Sequence, residues 1–335
     1  MNQHPLVSVI IPNYNHAKYL PARIESVLNQ TWKNIEVFIL DDCSPDNSRE
    51  VIDEYAGLDN RIKVVYNQAN SGSTFKQWNK GIGLARGKYI WIAESDDAAE
   101  DSFLSVLVSE LEKDEEVVLA YCDSFDMDEN NVVNGTITKY LTDLDPMWSQ
   151  NFVAAGRPLI QRFMSFRNVI PNASAVVFRA STAAAAGPAD ESYRLFGDVI
   201  YWAKIISVGK IAYVSHALNY FRTHQNNART TTYFDGTSLQ ENSRAIAVLR
   251  MYGEPDAEYR TKALELLLNK WYDTWAHQSM QWDKHMSIFK NVHAVEPGFA
   301  YKLIDVFARR FFYKAQGFRV LIGDKFLYKV FNNKS

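Results

Sequence analysis

Two adjacent carboxylates, Asp96 and Asp97, follow Glu94 and Ser95 at the end of the apolar run Tyr89-Ile90-Trp91-Ile92-Ala93. Neighbouring carboxylates repel, so such a pair persists where water solvates it or where something positive sits. A hard divalent cation such as Mn2+ or Mg2+ suits the second case. It takes oxygen ligands, uses one or two protein carboxylates and draws the rest from substrate phosphates and water. Asp96 and Asp97 are equally good turn formers ahead of a helix starting near Asp101. A second pair, Asp41-Asp42, closes the run Ile35-Glu36-Val37-Phe38-Ile39-Leu40. A carboxylate there can accept the imide N–H of a uracil or thymine ring, a proton that adenine lacks at the equivalent edge. The competing reading is a turn, which Asp-Cys-Ser-Pro-Asp also suits. Tyr14 either stacks on a base or enters the core.

These groups need a scaffold that aims them. Short β-branched runs at Val7–Ile11, Ile35–Leu40, Ile62–Tyr66, Tyr89–Ala93 and Val117–Tyr121 alternate with helical spacing at 17–30, 74–86 and 101–113, and with a helix start at Ser44-Pro45-Asp46. Alternation of this kind predicts a mainly parallel sheet with helices on both faces. Ligands of such sheets bind beyond the carboxyl ends of the strands, where the polar clusters fall. Residues 126–225 change character: a polar stretch at 126–134, strands at 173–179 and 211–222, and a helix at 199–208. From about 238 onward the pattern is helical.

The 335 residues imply one large domain or two. A formal charge of −3 argues against nucleic acid as a partner, because a phosphate backbone calls for a basic footprint. The two cysteines, Cys43 and Cys122, form no CxxC; both lie in or just after apolar runs, so buried free thiols in a reducing compartment are expected. No basic-then-apolar leader and no spanning helix are visible.

Several segments in order resemble the nucleotide-sugar half of family 2 glycosyltransferases, which have the GT-A fold: Val-Ser-Val-Ile-Ile-Pro-Asn-Tyr-Asn (7–15), Ser-Val-Leu-Asn-Gln-Thr (26–31), Asp-Asp-Cys-Ser-Pro-Asp (41–46), Asn-Ser-Gly (70–72), Asn-Lys-Gly-Ile (79–82), Ala-Arg-Gly-Lys-Tyr-Ile (85–90) and Glu-Ser-Asp-Asp (94–97). The resemblance covers residues 5–125 and, more loosely, 170–224. It implies an α/β, Rossmann-like mixed sheet in three parts: a nucleotide-sugar half (1–125), an acceptor half with a catalytic base (126–235) and a helical extension (236–335). It also implies site residues. Pro12 and Tyr14 line the base pocket. Asp42 binds the pyrimidine imide, and Asp41 holds the turn. Asn70 and Gly72 shape the loop near the nucleotide. Asp96 contacts the ribose or the metal's surroundings, and Asp97 ligates the metal. Where the family has Gly after the Asp pair this chain has Cys43. Where many members carry Arg before the Asn at 79 it has Lys76-Gln77-Trp78, so Lys76 is the candidate diphosphate cation.

Inverting transfer is a displacement at the anomeric carbon, and the attacking hydroxyl needs a proton acceptor. The segment Phe196-Gly197-Asp198 before Tyr201 and Trp202 is similar to the family's acidic helix start, which makes Asp198 the candidate base; its plainer role is an N-cap. The aromatic neighbours either surround the acid or stack on a sugar. Tyr220-Phe221-Arg222-Thr223-His224 resembles the family's Tyr-Arg-x-His ending, with His224 at the metal or diphosphate. Asn172 and Ser174 mark an acceptor-side loop. The implied reaction moves a sugar from a UDP- or dTDP-sugar to a saccharide or lipid-linked saccharide in surface-polysaccharide or O-antigen assembly. That places the chain in the cytoplasm or on the cytoplasmic face of the inner membrane.

The segment 301–335 is basic and aromatic, with Leu303, Phe307, Phe311 and Phe318 near one face, and reads as an interfacial anchor or as a helix packed on the core. Trp271, Tyr272 and Trp275 offer a homodimer contact. Two rival readings remain: a nucleotidyltransferase, which wants a Gly-rich, Arg-containing loop after the first strand, and a non-catalytic nucleotide-sugar-binding subunit. A dehydrogenase would need GxGxxG there.

Overall fold

The computed structural model describes residues 4–224, 236–277 and 280–312. Two compact units divide the chain, Met1–Gln225 and Asn226–Ser335. In the first, elements follow one another as β1 (Val7–Asn13), α1 (Leu20–Leu28), β2 (Ile35–Asp41), α2 (Ser48–Leu58), β3 (Ile62–Tyr66), α3 (Thr74–Leu84), β4 (Tyr89–Ile92), β5 (Ala98–Ala99), α4 (Phe103–Lys113), β6 (Val117–Asp128), β7 (Val133–Thr136), α5 (Thr138–Thr142), β8 (Phe152–Ala155), α6 (Gly156–Leu159), β9 (Val176–Arg179), α7 (Ala180–Ala186), α8 (Gly197–Ile206) and β10 (Lys210–Thr223).

The strands form one sheet in the order β3-β2-β1-β4-β9-β6-β10-β5, with β7 on β6 and β8 on β10. Strands β3, β2, β1 and β4 are parallel, with Asn13 level with Asp41 and Asp41 level with Tyr66. β9 is antiparallel to both its neighbours, which makes the sheet mixed. Side-chain alternation covers both faces. Val9, Ile11, Val37 and Ile39 share a core with Leu20, Ile24 and Val27 of α1, Ile52 of α2 and Phe103, Leu107 and Leu111 of α4. Ile10 and Leu40 point the other way, onto α3, so closely that a Cβ on Gly81 would lie 2.4 Å from Ile10 Cγ2 and 3.0 Å from Leu40 Cδ1.

After β3 the chain returns to the far side of β1 and lays down β4. The strand order therefore reverses between β1 and β4, and the carboxyl ends of the strands at such a switch point are the usual ligand position in sheets of this kind.

Three features differ from the sequence expectation. β6 continues past Tyr121 to Asp128, because β10 pairs with it as far as Thr223; the polar stretch becomes a hairpin to β7, with Asn131 at φ 66°. The short β5 and β8 carry no periodic signal at two and four residues. Cys122 is buried as expected, but Cys43 is exposed, because it leaves β2 in a turn with left-handed backbone, φ 62°. Left-handed geometry is what a Gly at that position would supply without strain.

The second unit contains α9 (Thr237–Leu249), α10 (Ala257–His277), α11 (Trp282–Val295) and α12 (Phe299–Phe312). Leu239, Leu264, Leu267, Leu268, Trp271, Ile288, Val292, Phe299 and Val306 make its core. Trp271 and Tyr272 are buried, which removes them from an external dimer contact, while Trp275 is exposed. In the described part of the basic tail, Leu303 packs against this core and Arg310 pairs with Asp273 at 2.6 Å, whereas Tyr301 and Ile304 face outward. Phe318 and the rest of 313–335 lie outside the described residues. No helix among the described residues is long and apolar enough to cross a membrane.

Candidate active site at the strand carboxyl ends

The acidic motif sits where β4 ends beside β1. One ring nitrogen of His16, from the loop after β1, one carboxylate oxygen of Asp96 and one ring nitrogen of His224, just past β10, all lie within 4.8 Å of one another. His224 Nε2 is 3.0 Å from Asp96 Oδ2, and His16 Nδ1 is 2.8 Å from Ser95 Oγ. Ligands of a first-row divalent ion sit about 2.0–2.2 Å from it, and so lie roughly 3–4 Å apart. Small side-chain rotations would bring these three to that spacing. The donor set fits such an ion, with Asp96, His224 and His16 as the residues that would hold it.

Asp97 faces elsewhere. Its Oδ1 accepts the Arg222 backbone N–H at 2.8 Å, and its Oδ2 is 3.9 Å from the buried Arg23 guanidinium. Arg23 Nε donates to the Glu94 carbonyl at 2.8 Å, and Arg222 Nε donates to the Asp96 carbonyl at 2.6 Å. Two arginines thus grip the backbone of the acidic loop, and Asp97 ties it to β10. Burial, then the adjacent Asp96, pushes Glu94 up to about 8 and Asp97 up to about 6. Burial acts on Asp96 in the same direction, but the His224 hydrogen bond and His16 outweigh it and draw Asp96 below the usual carboxylate range. Burial lowers Arg23 to about 10 and lowers His16 below the usual imidazole value.

Asp42 lies at the end of β2 and is buried. Its Oδ1 accepts from Asn67 Nδ2 at 2.6 Å, the Ser71 N–H at 2.9 Å and Gln77 Nε2 at 3.0 Å, while Oδ2 accepts from Ser71 Oγ at 2.7 Å. A carboxylate offers about four acceptor sites. Oδ1 is fully engaged, and Oδ2 keeps room for one further donor. Asp41 accepts from Asn13 Nδ2 at 2.8 Å and from Ser44 Oγ and N–H at 2.5 and 3.1 Å, which fixes the turn after β2. Asn70 Oδ1 accepts the N–H of Gly72, whose φ is 70°. Pro12 is buried within β1, and Tyr14 is 44% exposed just beyond it. Lys76 is exposed, with Nζ donating to the Ser71 carbonyl at 3.1 Å.

The first turns of α3 join these parts. Gln77 donates to Asp42, the next residue, Trp78, donates from Nε1 to Glu94 Oε1 at 2.8 Å, and Phe75 packs on Gly197 at the start of α8. A Cβ at Gly197 would stand 2.5 Å from Phe75 Cε2, so only glycine permits this approach. Trp78 also meets Trp202 and Tyr201 of α8 at ring separations of 5.6 and 6.2 Å. Tyr201 and Trp202 are buried, so they anchor α8 and do not present a face to a sugar. Asp198 occupies the first turn of α8 and is half-buried. Ser174 is buried and its Oγ accepts the Glu94 N–H at 3.0 Å; Asn172, also buried, caps the short turn before β9 through the Ser174 N–H at 2.8 Å. Ser174 supports the acidic loop, and Asn172 fixes the turn that carries Ser174.

Sequence reasoning passed over His16, Arg23, Gln77 and Trp78. Arg23 carried a signal: it falls on the inward face of α1 with Leu20, Ile24 and Val27, and a charge at such a position needs a buried partner. His16 carried one only in combination, once β1 and β4 are known to be neighbours.

The polar clusters thus gather at the carboxyl ends of β1, β2 and β4 on an α/β sheet. Residues 8–169, just under half of the chain, match the family model described as "Glycosyl transferase family 2". Glycosyltransferase GlyG of Streptococcus pneumoniae serotype 4 is 39% identical over 127 residues, 38% of this chain and 42% of its own length. TuaG of Bacillus subtilis, named for teichuronic acid biosynthesis, is 43% identical over 96 residues, 29% of this chain and 38% of its own. The chain thus aligns with less than half the length of either relative. Residues 1–349 of S. aureus TarS, crystallised with UDP-GlcNAc, superpose with a TM-score of 0.65 at 17% identity, covering 90% of this chain and 89% of that one; the shared feature is the GT-A fold.

Proposed function

We propose that the protein is an inverting, metal-dependent glycosyltransferase that uses a UDP- or dTDP-sugar and delivers the sugar to a hydroxyl of a saccharide or lipid-linked saccharide in cell-surface polysaccharide assembly. The observation that carries this reading is the junction made by α3, which ties Asp42, Glu94 and the helix of Asp198 to one edge of the sheet. The remaining acceptor site on Asp42 Oδ2 takes the imide N–H of the base, and Tyr14 lies along the base. Asp96 and His224 hold the divalent ion, which when bound neutralises charge on the diphosphate leaving group. Asp97 locks the acidic loop to β10 and acts on the ion only through Asp96. Asp198, in the first turn of α8, accepts the proton of the attacking hydroxyl. A relative named for teichuronic acid biosynthesis supports the polysaccharide setting, and a fold neighbour holding UDP-GlcNAc supports a uridine donor.

The test is a thermal-shift panel of UDP-, dTDP-, GDP- and ADP-sugars with and without Mn2+. Ligand at about 100 times its Kd stabilises by about 2.7 kcal/mol. Stabilisation by a pyrimidine nucleotide sugar that requires Mn2+ is expected. A purine nucleotide sugar that stabilises equally well, or stabilisation indifferent to metal, would overturn the assignment.

A further inference from the structure

We propose that His16 completes a two-imidazole, one-carboxylate cation site with Asp96 and His224, which favours Mn2+, Co2+ and Zn2+ and disfavours Mg2+. The inference rests on the metal reading above and adds the identity of the ion and a third protein ligand. It comes from three features at the carboxyl ends of β1 and β4.

The first is spatial. His16 reaches the acidic motif from a different strand loop, yet one of its ring nitrogens belongs to the same group of ligand atoms, all within 4.8 Å, as Asp96 and His224. The second is rigidity. Ser95 Oγ holds His16 Nδ1 at 2.8 Å, and the ring meets His224 edge-on at 5.5 Å and Tyr19 at 5.8 Å. Tyr19 in turn lies 5.3 Å from His224 and carries the Arg222 guanidinium 4.7 Å above its ring. The two imidazoles are therefore clamped before any ion arrives, which is how supporting groups sharpen a metal site. The third is donor chemistry. Mg2+ demands oxygen ligands in a near-ideal octahedron and dehydrates reluctantly, whereas imidazole nitrogen suits first-row transition ions, whose affinities rise from Mn2+ through Co2+. Two nitrogens against one carboxylate oxygen shift the balance away from Mg2+.

The experiment titrates Co2+, Mn2+ and Mg2+ into the metal-free full-length chain by calorimetry and follows the visible absorption of bound Co2+, for the wild type, His16→Ala, His16→Gln and Asp96→Asn. His16→Ala should weaken Co2+ by about tenfold or more, the scale on which metal sites respond to lost support, change the Co2+ spectrum, and leave the Mg2+ affinity nearly unaltered. The melting temperature of each metal-free variant reports folding, and His16→Gln serves if the alanine variant is unstable. Unchanged Co2+ affinity and spectrum in both His16 variants would overturn the proposal, as would equal losses for Co2+ and Mg2+. If Asp96→Asn alone abolishes Co2+ binding, the metal reading survives without His16. If Asp96→Asn also binds Co2+ normally, the metal reading itself fails.

Discussion

The contact between Gly197 and Phe75 sets up a perturbation whose effects on stability and on turnover should separate. In Gly197→Ala the new Cβ would stand 2.5, 2.6 and 2.9 Å from Cε2, Cζ and Cδ2 of Phe75. Carbon atoms pack at about 3.5–4.0 Å, so α8 or the Phe75 ring must retreat by about 1 Å. Phe75 is buried and stands edge-on to Trp78 at 5.2 Å, and Trp78 is tied to Glu94, so the ring has little freedom and α8 takes most of the shift. Overpacking of this kind costs about 1–3 kcal/mol. Replacing glycine at the helix start returns at most about 1 kcal/mol. The net loss of up to about 3 kcal/mol corresponds to a Tm lower by up to about 12 °C for a unit of this size. Turnover should fall further, because a displacement of about 1 Å at a reacting group costs about a hundredfold. Differential scanning fluorimetry gives the first quantity, and release of nucleoside diphosphate with acceptor present gives the second. Gly197→Ala combined with Phe75→Leu makes room for the methyl group and should recover most of the turnover while remaining less stable than wild type. Wild-type turnover in Gly197→Ala would refute the placement of Asp198 at the reacting centre, and failure of Phe75→Leu to rescue it would refute the steric route.

Asp198→Asn should lower turnover by about 10²–10⁴-fold, the range contributed by general bases, while nucleotide affinity measured by calorimetry stays close to wild type; loss of both would mean that the residue is structural. Asp96→Asn and Asp97→Asn should separate in opposite ways. The first abolishes metal affinity with little change in the melting temperature of the metal-free chain. The second leaves Arg23 without its carboxylate and costs about 3 kcal/mol, at the lower end for breaking a buried ion pair, read by chemical denaturation. Deleting residues 313–335 spares the packed part of α12 and removes Lys314, Arg319, Lys325, Lys329 and Lys334. At about 1 kcal/mol per basic group near an anionic surface, binding to phosphatidylserine vesicles should fall at least tenfold in a sedimentation assay, and unchanged binding would retire the membrane role.

The parallel half of the sheet was legible because Val7–Ile11, Ile35–Leu40 and Ile62–Tyr66 are β-branched runs closed by Pro, Asp or Asn, and the intervening helices repeat apolar residues at helical spacing. The sheet's other half was less legible. β10 (Lys210–Thr223) was expected at 211–222, but β5 and β8, at two and four residues, carry no periodic signal, and the extension of β6 past Tyr121 depends on its pairing with β10. Within the site, the strand-end clusters located Asp42 and Asp96, which lie just past β2 and β4. The role of each member of the Asp96-Asp97 pair was not readable, because consecutive side chains in a loop diverge and only the partners, His224 for one and the Arg222 N–H for the other, tell them apart. His16 was hidden because adjacency of β1 and β4 is a property of the strand order.

Gln77 and Trp78 are consecutive on α3, yet one holds the carboxylate proposed to read the base and the other holds the acidic loop, while Phe75 two residues earlier seats the helix of Asp198. Changing which donor the protein accepts would therefore be hard to do by local substitution at this helix. Any side chain that reshapes the nucleoside end would also move the groups proposed to take part in sugar transfer. Donor preference would drift more readily through residues 67–73, whose turns border Asp42 through Asn67 and Ser71.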